Sequence, residues 1–273
     1  MTSIQTSDTS RAQLPWLRIT VVMAVACVLP FFLSNYHVFQ ASMVLSTAIA
    51  LVGLNILTGY SGQISLGHGA FLAIGAYTTA ILMDKFDVPY WATIPVAGLV
   101  CLVAGFLFGL PALKLEGHYL ALATFALAVA LPQLLKFRYL EPWTGGVQGI
   151  VIMKPDPPLS SFLGLTLNSD RWLYFVALLV AALMYLIAWN LLRGRIGRAL
   201  IAIRDQPTAA ALMGIDTSLY KSLAFGVSAL FTGVAGSLSA ILVAFVAPDS
   251  FTVFLSITLM VGMVVGGLTS LAG

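Results

Sequence analysis

The stretch LTGYSGQISLGHGAFLAIGAY (57–77) holds most of the side chains in this protein whose type and spacing could do chemistry. Ser61 lies in a G-x-S-G string, His68 follows seven residues later, and His118 is a second imidazole further along the chain. A serine nucleophile needs an imidazole within hydrogen-bond reach. Neither histidine lies in the small-residue motif that intramembrane serine hydrolysis uses, and among 24 glycines a chance G-x-S-G is unsurprising. The same glycines do not make a phosphate loop, which needs a preceding strand, a following helix and usually a lysine. Cys27 and Cys101 sit inside apolar runs, so neither a disulfide framework nor a thiolate metal site is expected. No catalytic residue, metal or cofactor is expected in this chain.

The elements that must position these side chains are set by composition. Of 273 residues, 60% are hydrophobic and 8% charged, against roughly 25% charged in a soluble domain. The chain reads as an all-α polytopic membrane protein, a single transmembrane domain over 1–273. About 20 apolar residues cross the hydrocarbon, and eight such spans can be drawn at 14–34, 38–57, 64–83, 90–110, 118–135, 172–192, 221–246 and 251–273. The first 13 residues lack a signal-peptide cleavage pattern, so the first span is read as retained. Between the sixth and seventh spans, Arg193, Arg195, Arg198, Arg204 and Lys221 are offset only by Asp205 and Asp216. Basic loops stay cytoplasmic, which places 193–220 and the N-terminus with Arg11 and Arg18 inside, and the Pro/Gly-rich loop 136–171 outside. Trp143, Trp172 and Tyr174 fit an interfacial aromatic belt on the outer side. The last span stops at VGGLTSLAG without a polar tail, and the sequence is expected to be a piece of a longer chain.

Two explanations remain for the glycine tract. Small residues let membrane helices approach closely, which suits Gly69, Ala73 and Ala76. The second is a broken third span whose freed backbone groups line a water-accessible path, and the two are favoured together, the break lining the path and its flanks packing. Ser61, Gln63, Ser65 and His68 then supply polar atoms without fixed charge, suited to passage of a zwitterion. For His68 alone, a packing role is favoured over a ligand role, although an intramembrane ionisable residue is a functional candidate by default. Thr58–Phe71 and Thr232–Phe245 share Thr, Gly, Gly, Ser, Ala and Phe at an offset of 174. Read as an internal repeat, this adds Gly233, Gly236 and Ser239 to the path.

The segment LLRGRIGRALIAIRDQPTAAALMGIDTSLYK (191–221) predicts a short cytoplasmic helix. Pro207 can occupy its first turn and Gly214 can end it. A mere topology signal has no need of an Ala-rich helix bracketed by Pro and Gly. Small side chains there permit close approach of another protein.

The pattern AA-x3-G at Ala209, Ala210 and Gly214 resembles the core of the EAA loop of ABC-importer permeases, with Thr208 where that loop has its acidic residue. GRALIAIRDQPTAAALMGID (197–216), YKSLAFGVSALFTGVAGSLSA (220–240), GYSGQISLGHGAFLAIGAYTTAIL (59–82) and TGG-x2-G (144–149) are similar to branched-chain amino acid permeases of the LivM type. That resemblance implies a coupling helix formed by Arg204, Asp205, Thr208, Ala209, Ala210, Met213 and Gly214, docking on an ATPase subunit that binds the ATP. It implies a homologous second permease subunit, a periplasmic or extracellular substrate-binding protein, an inner-membrane location and Leu, Ile or Val as cargo. Related permeases carry urea, short amides or other amino acids. A self-contained secondary transporter is the other class, weighed against by the lack of Asp or Glu at the centre of any drawn span. The lipid bilayer is the remaining partner, and nucleic acid is not expected.

Overall fold

The computed structural model describes residues 25–112, 117–157, 161–162, 165–166 and 168–270. At its centre stands one long helix whose surface is built from small residues. Within TSLYKSLAFGVSALFTGVAGSLSAILV, Gly226, Gly233 and Gly236 alternate with Ser, Ala and Thr, and neighbouring backbones close on them. The surrounding helices are α1 (Asn35–Asn55), α2 (His68–Phe86), α3 (Tyr90–Ala112) and α4 (His118–Leu135). A short α5 (Glu141–Thr144) is followed by α6 (Ser169–Arg193), α7 (Arg195–Asp205) and α8 (Pro207–Leu212). The central helix is α9 (Thr217–Val243), and α10 (Val253–Gly266) follows it. Residues 25–32 are helical ahead of α1.

Close packing here replaces the hydrophobic drive that lipid cannot supply. A Cβ on Gly233 would lie 2.5 Å from Cys101 of α3, and one on Gly236 would collide with the Leu72 carbonyl of α2. On α1, Gly53 gives the same close approach, with Phe231 Cβ 2.6 Å from a substituent. Hydroxyls inside the helices return to the carbonyl four residues back, as Ser42 does to Val38 and Thr232 to Ser228 (both 2.9 Å). Such bonds satisfy these two hydroxyls where water is excluded.

Six helical segments among the described residues are long and apolar enough to cross a membrane: Asn35–Tyr60, Tyr90–Pro111, His118–Leu135, Ser169–Arg193, Thr217–Val243 and Pro248–Gly266. This differs from the expected eight. The span drawn at 14–34 lies largely outside the described residues. The one drawn at 64–83 is α2, whose polar start at His68 and charged end at Asp84–Lys85 dilute its apolar run. The break expected within α2 is displaced as well. From His68 onward α2 is continuous, and the departure from α-geometry precedes it, over 56–67.

Other boundaries moved for local reasons. The Asn168 side chain accepts from Ser169 N, so α6 begins three residues before the predicted 172. Asp216 accepts from Leu219 N at 3.0 Å, so α9 begins at Thr217 rather than 221. The final helix, drawn to 273, stops at Gly266, with Gly267 at φ +106.

The two ends of the bundle differ. One gathers the end of α1, α7, α8 and residues 267–270, tied by Tyr60 Oη to Thr269 O (2.7 Å) and Arg204 Nη1 to Gly59 O (2.9 Å). The opposite end carries α5 and an antiparallel pair of two-residue strands, β1 (Ile150–Val151) and β4 (Phe245–Val246), with Ile150 opposite Val246. Between them in sequence lie the equally short β2 (Ser161–Phe162) and β3 (Leu165–Thr166), paired with each other. Ion pairs Lys136–Asp249 and Lys154–Asp170 sit at this end. Of the expected aromatic belt, Trp143 stacks on Phe86 and Trp172 donates to Tyr90 Oη, but Tyr174 is buried and bonds Ala26 O.

Candidate functional site

The site grows out of the end of α1. After Asn55 the helix widens into one π-turn, Ile56–Tyr60, in which Ser61 N reaches back to Ile56 O at 3.2 Å. Single π-turns inside membrane and soluble helices often mark functional positions. Gly62 follows at φ +73, a left-handed conformation that an L side chain adopts only under strain. Residues 61–67 are non-helical.

His68 shows where that segment goes. Its Nε2 lies 2.6 Å from Ser228 Oγ on α9, and Ser228 Oγ donates to Gly53 O at 2.6 Å. Gly53 and His68 therefore meet at the same depth of the bundle. The intervening chain runs to the bundle end at Gly59, turns, and re-enters the interior. Exposed backbone at that depth is tolerated only when protein partners satisfy it. Here Leu66 N donates to Thr124 Oγ1 (3.0 Å) on α4, Gly67 N to Ser65 Oγ (3.3 Å), and Gly69 N to Ser256 Oγ (2.9 Å) on α10.

Proton positions follow from the partners. Ser228 spends its hydrogen on Gly53 O, so His68 Nε2 must carry the N–H that donates to Ser228. Nδ1 is then an acceptor, and Ser65 Oγ donates to it at 3.0 Å. The imidazole is neutral, 1% exposed, and bonded at both nitrogens. Ser228 is therefore not activated by His68, because its hydrogen points away from the imidazole. Ser61 Oγ is held by Gln63 Nε2 (2.8 Å), not by a histidine. Gln63 Nε2 also reaches Lys221 O at 3.3 Å, at the start of α9.

On the same end, α7 buries Leu200 and Ile203 and turns at Gln206 into α8, with Pro207 in its first turn. Gly214 has φ +85 and nothing within 4 Å of a Cβ, so its role is to end the helix rather than to receive a neighbour in this chain. Thr208 and Ala209 are exposed and Ala210 is buried. At the tip, Leu212 and Met213 are 89% and 84% exposed. Leu212 was not among the expected coupling residues, although its place beside Met213 before the terminating glycine is a usable signal. Arg204 turns inward to Gly59 O and pairs with the exposed Asp205.

The second set of expected path residues lies elsewhere. Gly233 and Gly236 form the contacts of α9 with α3 and α2, and Ser239 bonds Ser46 Oγ at 2.9 Å. The internal repeat that suggested them is not reproduced: Thr58–Gly62 is a π-turn and bend, whereas Thr232–Gly236 lies mid-helix. Sequence reasoning missed Thr124, Ser228 and Ser256, the three hydroxyls that hold the re-entrant segment. Among the described residues no group of three His, Cys, Asp or Glu is placed to hold a metal, and Cys101 Sγ bonds Phe71 O at 3.4 Å.

Residues 37–273 match the family described as the permease component of the branched-chain amino acid transport system. The chain is 37% identical over 274 aligned residues to the high-affinity branched-chain amino acid transport system permease protein LivM of Salmonella typhimurium, covering 93% of this chain and 64% of that one. LivM of Escherichia coli is 36% identical with the same coverage. A probable branched-chain amino acid transport permease, LivH of Methanocaldococcus jannaschii, is 24% identical over 88% of this chain and 77% of its own length. The chain thus spans just under two thirds of the two bacterial relatives. No solved structure gives a significant match.

Proposed function

This chain belongs to the family of branched-chain amino acid transport permeases, and from that premise we propose that it forms half of an ABC importer's translocation path across the inner membrane. Leucine, isoleucine and valine are the proposed cargo. A homologous second permease supplies the other half, a substrate-binding protein delivers cargo at the end carrying β1 and β4, and a separate ATPase drives the cycle. The protein itself performs no covalent chemistry.

One observation carries the coupling assignment. Leu212 and Met213 are almost fully exposed at the end of α8, beside a basic segment and away from the apolar spans. Two adjacent apolar side chains held out of the bundle by a Pro-started, Gly-ended helix suit insertion into a cleft on another protein. Thr208, Ala209, Ala210 and Gly214 frame that tip, while Arg204 and Asp205 close the preceding helix α7. The path borders the re-entrant turn, where the half-buried Gln63 offers an amide beside the exposed Gly62 and Ile64, and the buried Ser61 hydroxyl holds that amide. Ser65 and His68 support that turn from behind.

The test is co-purification of the ATPase with Leu212→Asp/Met213→Asp. Both residues are exposed, so the subunit should insert and fold as wild type while ATPase recovery falls at least about tenfold, the effect of placing two unpaired charges in an apolar pocket. Undiminished ATPase recovery would refute the coupling role of α8.

A further inference from the structure

The resemblance places Arg204 on the docking surface, and the residue is exposed, but its guanidinium reaches back to Gly59 of the re-entrant turn. We propose that Arg204 is a positioning residue, a strut that fixes the re-entrant turn to the docking loop. The proposal rests on the reading of α8 as the coupling helix.

Three contacts define the strut. Arg204 Nη1 donates to Gly59 O at 2.9 Å, and Gly59 is a buried residue of the π-turn. The aliphatic stem lies over Gly62, where a Cβ would come within 2.8 Å of Arg204 Cγ. Asp205 holds the guanidinium from the other side, accepting from Nε at 3.0 Å and lying 2.9 Å from Nη2. A planar guanidinium with donors in fixed directions can serve both acceptors at once, which an ammonium does less well.

The placement has a mechanical consequence. Arg204 is two residues before Gln206, whose extended backbone (φ −151, ψ 92) joins α7 to α8. On the other side, Gly59 and Gly62 flank Ser61, and Gln63 is bonded to both Ser61 and Lys221 O. Movement of the α8 tip is thus passed through Arg204 to the turn that borders the path. His68 and Ser228 anchor the far end of the same segment, while Arg204, Tyr60 through Thr269 O and Gln63 through Lys221 O hold the near end, and of these Arg204 alone belongs to the docking loop.

The test uses the full transporter complex in a Cys27→Ser/Cys101→Ala background carrying Ile64→Cys, which reports on the turn. Arg204→Met keeps the stem over Gly62 and removes every donor. The expected result is faster reaction of position 64 with a maleimide and an uptake rate about tenfold lower, the scale of losing one charge-assisted hydrogen bond. ATPase co-purification and basal hydrolysis should stay within about twofold of wild type, because the docking tip is untouched. Arg204→Lys should recover part of the uptake. Wild-type labelling, wild-type uptake or loss of ATPase co-purification in Arg204→Met would each overturn the strut. Failure of the coupling reading shows separately, as a wild-type complex that retains no ATPase, and the labelling arm still decides whether Arg204 holds the turn.

Discussion

Replacing Ser228 by alanine removes the pivot that ties α1, α2 and α9 at one depth. Its hydroxyl is fully buried, accepts from His68 Nε2–H and donates to Gly53 O, each at 2.6 Å. Gly53 O also accepts from Ile56 N, so it keeps one bond. His68 Nε2–H keeps none, and a buried donor left unsatisfied costs roughly 1–3 kcal/mol. Interhelical hydrogen bonds in membranes average about 0.6 kcal/mol and reach about 1.7 kcal/mol. Loss of a single oxygen leaves too small a void to add much, so the expected destabilisation is about 1–2 kcal/mol. The assay is equilibrium unfolding by titrated SDS in mixed micelles, with Thr47→Ala as comparison. Thr47 Oγ1 bonds Met43 O on its own exposed helix face, and its removal should cost less than about 0.5 kcal/mol. Equal stabilities for Ser228→Ala and Thr47→Ala would refute the claim that this bonded histidine holds the re-entrant segment.

Gln63→Ala should lower uptake more than Ser61→Ala, because the amide makes two bonds, to Ser61 and Lys221 O, and can donate and accept toward a zwitterion; uptake in proteoliposomes at matched subunit content checks the order, and wild-type rates in both would return the tract to helix packing. A cysteine replacing exposed Thr208, in the Cys27→Ser/Cys101→Ala background, should react with an impermeant thiol reagent only in inverted vesicles. Reaction in intact cells would reverse the orientation argued from the basic loop.

Much of the architecture was legible because hydrophobic runs of spanning length are hard to place anywhere else. The α8 helix was legible for a different reason: Pro207 and Gly214 act locally, one starting and one ending a helix whatever its surroundings. The start of α2 was not, since Gly, Ser and Gln between 59 and 67 fit both a packed helix and a supported bend. Only the partners decide between these, and they come from α4, α9 and α10. Thr124, Ser228 and Ser256 each stand in a long apolar run, where a hydroxyl can equally well bond its own helix, as Thr232 does. Sequence does not say which will reach across. Arg204 was named as a coupling residue by resemblance, but its bond to Gly59 was hidden, because topology alone explains its charge well enough. Its inward direction follows from α7 burying Leu200 and Ile203 and from the missing side chain at Gly62.

The central claim is that this chain moves cargo only as part of an ATP-driven assembly. Proteoliposomes should therefore be loaded with the chain, its second permease and the ATPase, with the substrate-binding protein and radiolabelled leucine on the binding-protein side. The account predicts leucine accumulation that requires both ATP at the ATPase and the binding protein, and none under a proton or sodium gradient alone. Accumulation by this chain without the ATPase, driven by an ion gradient, would contradict it.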